Sequence, residues 1–335
     1  MDQLISYSRE QILALATKRA GETKLAERVQ LVTNQHSLAL TTCKFVLVGL
    51  PEDVGVKANF GITGTRTAWE VTLKALMNIQ STAKLRGDEL AVLGFVDFED
   101  ELKRARLLDP NNEDELVRLR EIVAEIDKKV EPVIRLIYAA GKIPIVIGGG
   151  HNNCFPIIKA FSSSFNRPVN VINLDAHTDF RILEGRHSGN GFKYAFAGGF
   201  LNRYSVIGLQ ESYNSQNVLD ELKSQPKHFQ TTFYEDFVRE DTHCSRSFQE
   251  ALNFTDGLCG LEIDIDSIAG ALSSAISPTG FSLHQVRDMI AQTRIRQLFY
   301  LHIAEGASRL DDGRESDQTG KLIACLITDF MKAQL

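Results

Sequence analysis

Cysteine is scarce in this sequence, and its five cysteines lie far apart. They are Cys43, Cys154, Cys244, Cys259 and Cys325. No Cys-x-x-Cys pair occurs, and an odd number of cysteines does not fit a closed set of disulfides. The sequence therefore argues against a disulfide framework and predicts free thiols, which are typical of a reducing cytosol.

Long apolar runs and an excess of basic residues are also missing. No apolar run approaches the roughly 18 residues of a membrane-spanning helix, so no span is expected. The N-terminal segment lacks the uninterrupted apolar stretch of a signal peptide and is predicted to form an amphipathic helix. Lys and Arg total 37 against 43 Asp and Glu, which argues against a nucleic-acid-binding protein. We expect a cytoplasmic location.

The composition is that of a soluble globular protein, with 335 residues of which 43% are hydrophobic. This length allows one large α/β domain or two small ones. Because no Pro/Gly-rich linker or internal repeat interrupts the chain, we predict a single domain over 1–335, with residues 1–40 as an N-terminal helical extension.

Short, β-branched apolar runs alternate with helical patterns along the chain. Near-continuous apolar runs indicate strands covered on both faces, and therefore a mostly parallel sheet in a three-layer α/β/α fold. The clearest helices are predicted at 112–140 and 320–335. The candidate strands are 44–50, 90–95, 143–148, 169–175, 203–209, 260–266 and 297–303.

The segment "NLDAHTDF" places three polar side chains at alternate positions after a buried run. Asp175, His177 and Asp179 would share one face of an extended chain. Two carboxylates and an imidazole on one face form a candidate metal site. The alternative is a polar loop with an Asx turn.

Another strand ends in "IVIGGGHNN". The glycines allow a close backbone approach and unusual dihedral angles, but the residues that follow match neither a phosphate loop nor a dinucleotide-binding fingerprint. His151 is therefore a candidate ligand. The alternative is a buried histidine with a structural role.

Two further strands deliver acids. In "GLEIDIDSI", Glu262, Asp264 and Asp266 alternate with apolar residues, and burying them is costly unless positive charge neutralises them. The alternative is an exposed edge strand. In "LFYLHIAEG", His302 and Glu305 end a strand, and Glu305 is a candidate substrate-facing acid. The alternative is a capping or surface glutamate.

In open α/β sheets, ligands bind at the carboxyl ends of the strands, which is where these motifs lie. Six side chains offer carboxylate oxygens and imidazole nitrogens, a set that suits Mn²⁺ or Mg²⁺ better than structural zinc. Four acids and two histidines suit a pair of divalent ions. The candidate ligands are His151, Asp175, His177, Asp179, Asp264 and Asp266.

The motifs "GGGH", "DAHTD" and "DID", in this order and spacing, resemble the ureohydrolase family of arginases, agmatinases and formimidoylglutamases. The resemblance covers the chain from about residue 44 to the end. It implies a three-layer domain around a mainly parallel eight-stranded sheet, and two Mn²⁺ ions that support hydrolysis of amidine or guanidine C–N bonds.

The resemblance also implies roles for individual residues. One ion would bind His151, Asp175, Asp179 and Asp264, and the other would bind Asp175, His177, Asp264 and Asp266. Asp175 and Asp264 would therefore bridge the two ions. Glu305 would pair with the amidinium or guanidinium of the substrate, and Asp179 would carry a proton to the leaving amine.

The sequence departs from arginases and agmatinases in the substrate loop "RHSGNGF". Ser188 precedes the glycine where those enzymes carry a proton-transfer histidine, and His187 lies one position earlier, as a candidate shuttle. Ser188 and the segment 49–64 resemble formimidoylglutamases. Ala269–Gly270 also replaces the Asp-Pro pair of many family members.

Two arginines near the acidic motifs suit capture of a substrate carboxylate. Arg181 and Arg186, with Ser188 and Asn190, are therefore the candidate substrate-binding residues. We predict hydrolysis of N-formimino-L-glutamate to L-glutamate and formamide. Two alternatives stay open: a guanidine hydrolase that releases urea, and an inactive relative that serves as a binding subunit. Homo-oligomers are common in the family, but no feature of the sequence selects one.

Overall fold

A wide, almost entirely parallel β-sheet forms the centre of the molecule. The computed structural model describes residues 3–32, 35–239 and 244–335. The strands in these residues are β1 (Leu4–Ile5), β2 (Gln30–Leu31), β3 (Phe45–Gly49), β4 (Leu90–Val96), β5 (Ile143–Ile147), β6 (Val169–Leu174), β7 (Leu201–Leu209), β8 (Phe229–Phe233), β9 (Cys259–Asp264) and β10 (Leu301–Ala304).

The strand order is β1-β4-β3-β5-β10-β9-β6-β7-β8, with β2 also paired to β4. From β3 to β10 the neighbouring strands pair in parallel, and β1 is antiparallel to β4. The predicted eight parallel strands are therefore present, with the two-residue strands β1 and β2 added at one side.

Helices cover both faces of this sheet. The helices in the described residues are α1 (Arg9–Ala14), α2 (Leu25–Arg28), α3 (Gln35–Leu40), α4 (Val54–Lys57), α5 (Ala68–Met77), α6 (Glu99–Arg106), α7 (Glu113–Ala139), α8 (Cys154–Phe165), α9 (Gly191–Ala197), α10 (Gln216–Ser224), α11 (Tyr234–Arg239), α12 (Cys244–Phe254), α13 (Leu283–Gln292) and α14 (Thr319–Gln334). No helix in these residues is long and apolar enough to cross a membrane.

Alternate residues of the central strands enter two separate apolar cores. Leu47 and Ile145 point to the core that holds α5, α12, α13 and α14. Val46 and Val146 point to the other core, with α7, α8 and α9. Both faces of the sheet are thus covered, which is why its strands are apolar throughout and why the three-layer prediction is confirmed.

The seven predicted strands and the two predicted helices are all present, with shifts of a few residues at their ends. The prediction missed β8, because four of its five residues are only partly buried and its sequence "FQTTF" carries polar residues. An edge strand needs no continuous apolar run.

The N-terminal segment differs from the predicted helical extension. Its helices α1, α2 and α3 have six, four and six residues. Leu4–Ile5, before α1, and Gln30–Leu31, between α2 and α3, pair with β4 on the sheet. The N-terminal extension is therefore only partly helical: α1 lies in the segment predicted as an amphipathic helix, and two short strands join the extension to the sheet.

Four neighbouring strands of the sheet, β5, β10, β9 and β6, end at the same edge. His151 follows β5, Glu305 follows β10, Asp264 ends β9 and Asp175 follows β6. These strands are distant in sequence and adjacent in space, so the fold gathers four separate motifs at one place.

Candidate metal centre and its cavity

The first group of ligands surrounds one nitrogen of His151. Its Nδ1 lies 2.9 Å from Asp179 Oδ2, 3.1 Å from Asp264 Oδ2 and 3.3 Å from Asp175 Oδ2. One ligand atom from each of these four residues lies within 4.8 Å of the others. These are the four residues that the resemblance implies for one ion.

The second group lies beside the first. Nδ1 of His177 is 3.0 Å from Asp266 Oδ2 and 3.6 Å from Asp175 Oδ1. Asp175, His177 and Asp266 have ligand atoms within 4.8 Å of one another. Asp175 belongs to both groups, as the resemblance implies for a bridging carboxylate, whereas Asp264 is grouped with the first set.

The charges of this cluster fit a bound pair of cations. Burial raises the pKa of Asp264 well above its ordinary value, and the neighbouring Asp266 and Asp175 raise it further. Burial and Asp175 likewise raise the pKa of Asp179 to about 6. Four carboxylates this close are mutually repulsive unless cations lie between them.

The pattern of hydrogen bonds points the same way. The buried Oδ1 of Asp266 has no hydrogen-bond partner, although buried carboxylate oxygens are normally paired. Oxygen and imidazole donors without their own protons are the ligands that Mn²⁺ and Mg²⁺ accept. The residues present therefore fit two divalent cations.

Two residues of the site have strained backbones. Asp179 has a φ of 44° and Glu305 a φ of 62°, in the left-handed region that non-glycine residues rarely adopt. Such conformations cost about 1–3 kcal/mol and persist where the surrounding structure imposes them. Here the strain turns both carboxylates toward one cavity, since both line it.

A buried glutamate supports the loop that carries His151. Oε1 of Glu52 accepts hydrogen bonds from Gly150 N at 3.1 Å and from Asn153 Nδ2 at 2.6 Å. Gly149, with a φ of 74°, makes the turn before them. The glycines thus shape the loop that carries His151.

A cavity of about 600 Å³ opens onto the metal cluster. Its lining includes four acids of the site: Asp179, Asp264, Asp266 and Glu305. Among the described residues, Arg181 is the only Lys or Arg in the lining. A negatively charged substrate group therefore has one cation to meet inside the cavity.

Arg181 is held in a small polar cluster. Its Nη1 donates to Asn59 Oδ1 at 3.0 Å, and Asn59 Nδ2 donates to Ser188 Oγ at 3.2 Å. Nη2 lies 3.6 Å from Glu184 Oε1, a loose contact, and about half of the side chain is exposed. Arg181 and Ser188 therefore both line the cavity, and their contact with a substrate stays a prediction.

The structure corrects the prediction for Arg186. Its guanidinium is 5% exposed and forms a two-pronged ion pair with Asp127, at 2.8 Å and 3.3 Å. It lies between the rings of Phe155 and Tyr194 and does not line the cavity. A guanidinium whose donors are already paired in the interior has a structural role.

Asn190 is corrected in the same way. Its Oδ1 accepts from Arg186 Nη1 at 2.7 Å, and its Nδ2 donates to Gly185 O at 2.7 Å. The side chain is fully buried and holds the substrate loop closed on itself. It is not available to a ligand in the cavity.

His187 also lies outside the cavity lining. Its Nδ1 accepts from Gly189 N at 3.2 Å, and its Nε2 lies 3.3 Å from Glu184 Oε1. Burial and the nearby arginines lower its pKa to about 3. A buried, neutral imidazole that positions the loop does not fit the predicted proton shuttle.

Sequence reasoning missed several residues of the site. Asn59 lies in the segment 49–64, which resembles a loop over the site, but its residue type gives no signal for a role there. Tyr213 and Asn214 follow β7; Tyr213 stacks on His177 with ring centroids 5.6 Å apart, and Asn214 Oδ1 accepts from Thr178 N at 2.8 Å. A single tyrosine or asparagine in a loop gives no pattern from which a place in the site could be predicted.

The fold and the metal cluster define a class. The family model described as "Arginase family" matches residues 43–332. The chain belongs to the arginase family.

Within that family, the chain resembles two kinds of relative. It is 27% identical over 204 residues to arginase 2, chloroplastic/mitochondrial, of Arabidopsis thaliana; the match covers 57% of this chain and 56% of the plant protein, little more than half its length. It is 29% identical over 245 residues to formimidoylglutamase of Klebsiella pneumoniae, covering 69% and 67% of the two chains.

Solved structures share the fold. Formiminoglutamase of Trypanosoma cruzi with Mn²⁺ superposes with a TM-score of 0.73 at 17% identity, over 93% of this chain and 98% of that chain. Formimidoylglutamase of Bacillus subtilis gives a TM-score of 0.73 at 17% identity, over 95% and 93%. These likenesses establish the arginase-like α/β/α architecture.

Proposed function

We propose that the chain is a hydrolase that cleaves the C–N bond of a linear amidine, with N-formimino-L-glutamate as its substrate. The observation that carries the proposal is the clustering of six candidate ligands beside one cavity, which Glu305 and Arg181 also line. The complete ligand set argues against an inactive binding subunit. Membership of the arginase family supports the reaction class.

Two Mn²⁺ ions would be held by the two ligand groups around His151 and His177. When bound, the pair would lower the pKa of a water molecule, so that hydroxide is available as a nucleophile at neutral pH. The Mn²⁺ in the Trypanosoma cruzi relative supports this choice of metal. The donor set also suits Fe²⁺ and Co²⁺, so metal identity is part of the proposal.

The acids of the cavity would handle charge and protons. Glu305 Oε1 accepts from His151 N at 2.8 Å, which fixes the side chain where it lines the cavity. There it would orient the positively charged amidinium. Asp179 would accept a proton from the attacking water and pass it to the leaving nitrogen. The products would be L-glutamate and formamide.

Arg181 would recognise a carboxylate of the substrate. Formimino-glutamate carries two carboxylates and agmatine carries none, so a cavity cation favours the former. A charged hydrogen bond of this kind contributes about 1.5–3 kcal/mol. Ser188, in place of the histidine of arginases and agmatinases, and the formimidoylglutamase relatives support the same substrate.

The test is turnover of N-formimino-L-glutamate by Mn²⁺-loaded protein, measured as glutamate release, with arginine, agmatine and guanidinobutyrate assayed alongside. Arg181→Met should raise KM about 10–100-fold, as that loss of binding energy requires. Arg309→Met is the matched control, because Arg309 is an exposed arginine with its own glutamate partner at 3.4 Å.

The second candidate is a guanidine hydrolase, which the match to the Arabidopsis arginase favours. Urea release from arginine or a guanidino acid, with no turnover of N-formimino-L-glutamate, would select it. The metal cluster would then keep its role, and so would Arg181, because arginine and guanidino acids also carry a carboxylate. Turnover of agmatine, which carries none, would remove the role of Arg181.

A further inference from the structure

A buried pair of side chains lies on the far side of His151 from the metal cluster. Glu262 and His302 stand directly opposite each other on the parallel strands β9 and β10. His302 Nδ1 is 2.6 Å from Glu262 Oε2, and Tyr300 Oη donates to Glu262 Oε1 at 2.8 Å. Both members of the pair are fully buried.

This pair is not suited to hold a third cation, although its atoms lie close enough to His151 to form a group. Each oxygen of Glu262 already accepts a hydrogen bond, one from Tyr300 and one from His302. The second nitrogen of His302, Nε2, lies 3.3 Å from Gly148 O. Both ring nitrogens of His302 therefore lie against protein oxygens, and neither faces an open ligand position.

The outer nitrogen of His151 is the group that this pair faces. Nε2 of His151 is buried and has no partner at normal hydrogen-bond geometry. Glu262 Oε2 is 3.4 Å away from it. On the opposite edge of the ring, Nδ1 faces the three aspartates of the first ligand group.

We propose that Glu262, held by His302 and Tyr300, is a positioning residue that fixes the tautomer and ring orientation of His151 for the first cation. The inference rests on the metal centre of the proposed function. A ligating imidazole must keep its lone pair on the metal side, here Nδ1, and carry its hydrogen on Nε2. A carboxylate facing Nε2 favours that tautomer and strengthens the ligand.

The test is Mn²⁺ binding by protein freed of metal with a chelator. Free Mn²⁺ is followed by its electron paramagnetic resonance signal during titration. Glu262→Gln keeps the shape of the side chain but removes the negative charge that favours a hydrogen on His151 Nε2. We expect the dissociation constant of one of the two ions to rise about 10–100-fold, with a smaller change for the other, since His151 belongs to one ligand group only.

Glu101→Gln is the matched control. Glu101 is also a buried glutamate, 4% exposed, and pairs with Lys129 at 2.7 Å, away from the metal cluster. The control should bind both ions as the unaltered protein does. An equal weakening in the control would overturn the proposal, as would unchanged binding by Glu262→Gln.

Glu262→Asp keeps the inference testable if the glutamine variant does not fold. It retains the charge but withdraws the carboxylate from His151 by one methylene, so one site should again weaken. Unchanged affinity for both ions would overturn the proposal.

If the unaltered protein binds no Mn²⁺, this inference and the metal centre fail together. If it binds two ions but turns over none of the substrates, only the proposed reaction fails.

Discussion

The buried ion pair between Arg186 and Asp127 allows a sharp test of how the substrate loop is built. The Arg186 guanidinium donates to both oxygens of Asp127, to Asn190 Oδ1 at 2.7 Å and to Asn152 O at 2.8 Å. Asn152 is the neighbour of His151, so this arginine joins the substrate loop to the loop of a metal ligand. We predict that Arg186→Met destabilises the fold.

The expected magnitude follows from what is left behind. Arg186 is 5% exposed and Asp127 is 7% exposed, so the substitution leaves a buried carboxylate without its cation. Removing one partner of a buried pair costs about 3–5 kcal/mol. Replacing both partners with apolar residues of similar size is often nearly neutral. The double variant Arg186→Met/Asp127→Leu should therefore recover most of the lost free energy of unfolding.

The assay is urea unfolding followed by circular dichroism, with the unaltered protein and both single and double variants compared at several pH values. In the unaltered protein, burial raises the pKa of Asp127 and Arg186 opposes that rise. Without Arg186 the pKa rises further, and the neutral acid is the form that tolerates burial. The deficit in the free energy of unfolding should therefore shrink as pH falls through that raised pKa, and grow as pH rises.

A substrate-binding Arg186 would give the opposite pattern. Arg186→Met would then unfold at the urea concentration of the unaltered protein, while KM rose as for Arg181→Met. That result would refute the structural role of Arg186 and would restore the role expected from the sequence.

Further predictions concern the cations and the cavity. Removing the cations with a chelator should lower the free energy of unfolding, by about 2.7 kcal/mol for each ion relative to protein with Mn²⁺ at 100 times the dissociation constant of that site; equal stability with and without Mn²⁺ in thermal melts would contradict it. Asp264→Asn should abolish turnover and weaken Mn²⁺ binding, and a variant that kept full turnover would rule out a catalytic centre with two metals. Gly189→Ala should raise KM with little change in melting temperature, because its Cβ would lie 2.9 Å from Asn59 Nδ2 and 3.0 Å from Arg181 Cδ; an unchanged KM would show that this cluster does not bind substrate.

The ligand set shows what local sequence can predict. Asp175, His177 and Asp179 do lie at one site, as their alternate spacing predicts, although the chain bends after β6 ends at Leu174 and Asp179 has a φ of 44°. The same rule predicted that Glu262 and Asp264 would point to one side of β9. Burial of the acids could be predicted as well, because the strands that carry them are apolar throughout.

The partners of those acids could not be predicted in this way. Glu262 has no cation near it in sequence, and its partner His302 comes from a strand about forty residues away. The pairing exists because β10 inserts between β5 and β9 in the sheet. Long-range strand order leaves no mark in the local pattern.

The sequence by itself determined the α/β architecture, most of its strands and the six candidate ligands, because these depend on periodicity and on residue type. Only the tertiary structure decided which arginine faces the cavity. Arg181 and Arg186 lie five residues apart in one polar loop, yet one is half exposed beside the metal cluster and the other is buried against Asp127. In a loop without periodicity, the direction of a side chain is set by the elements that pack around it.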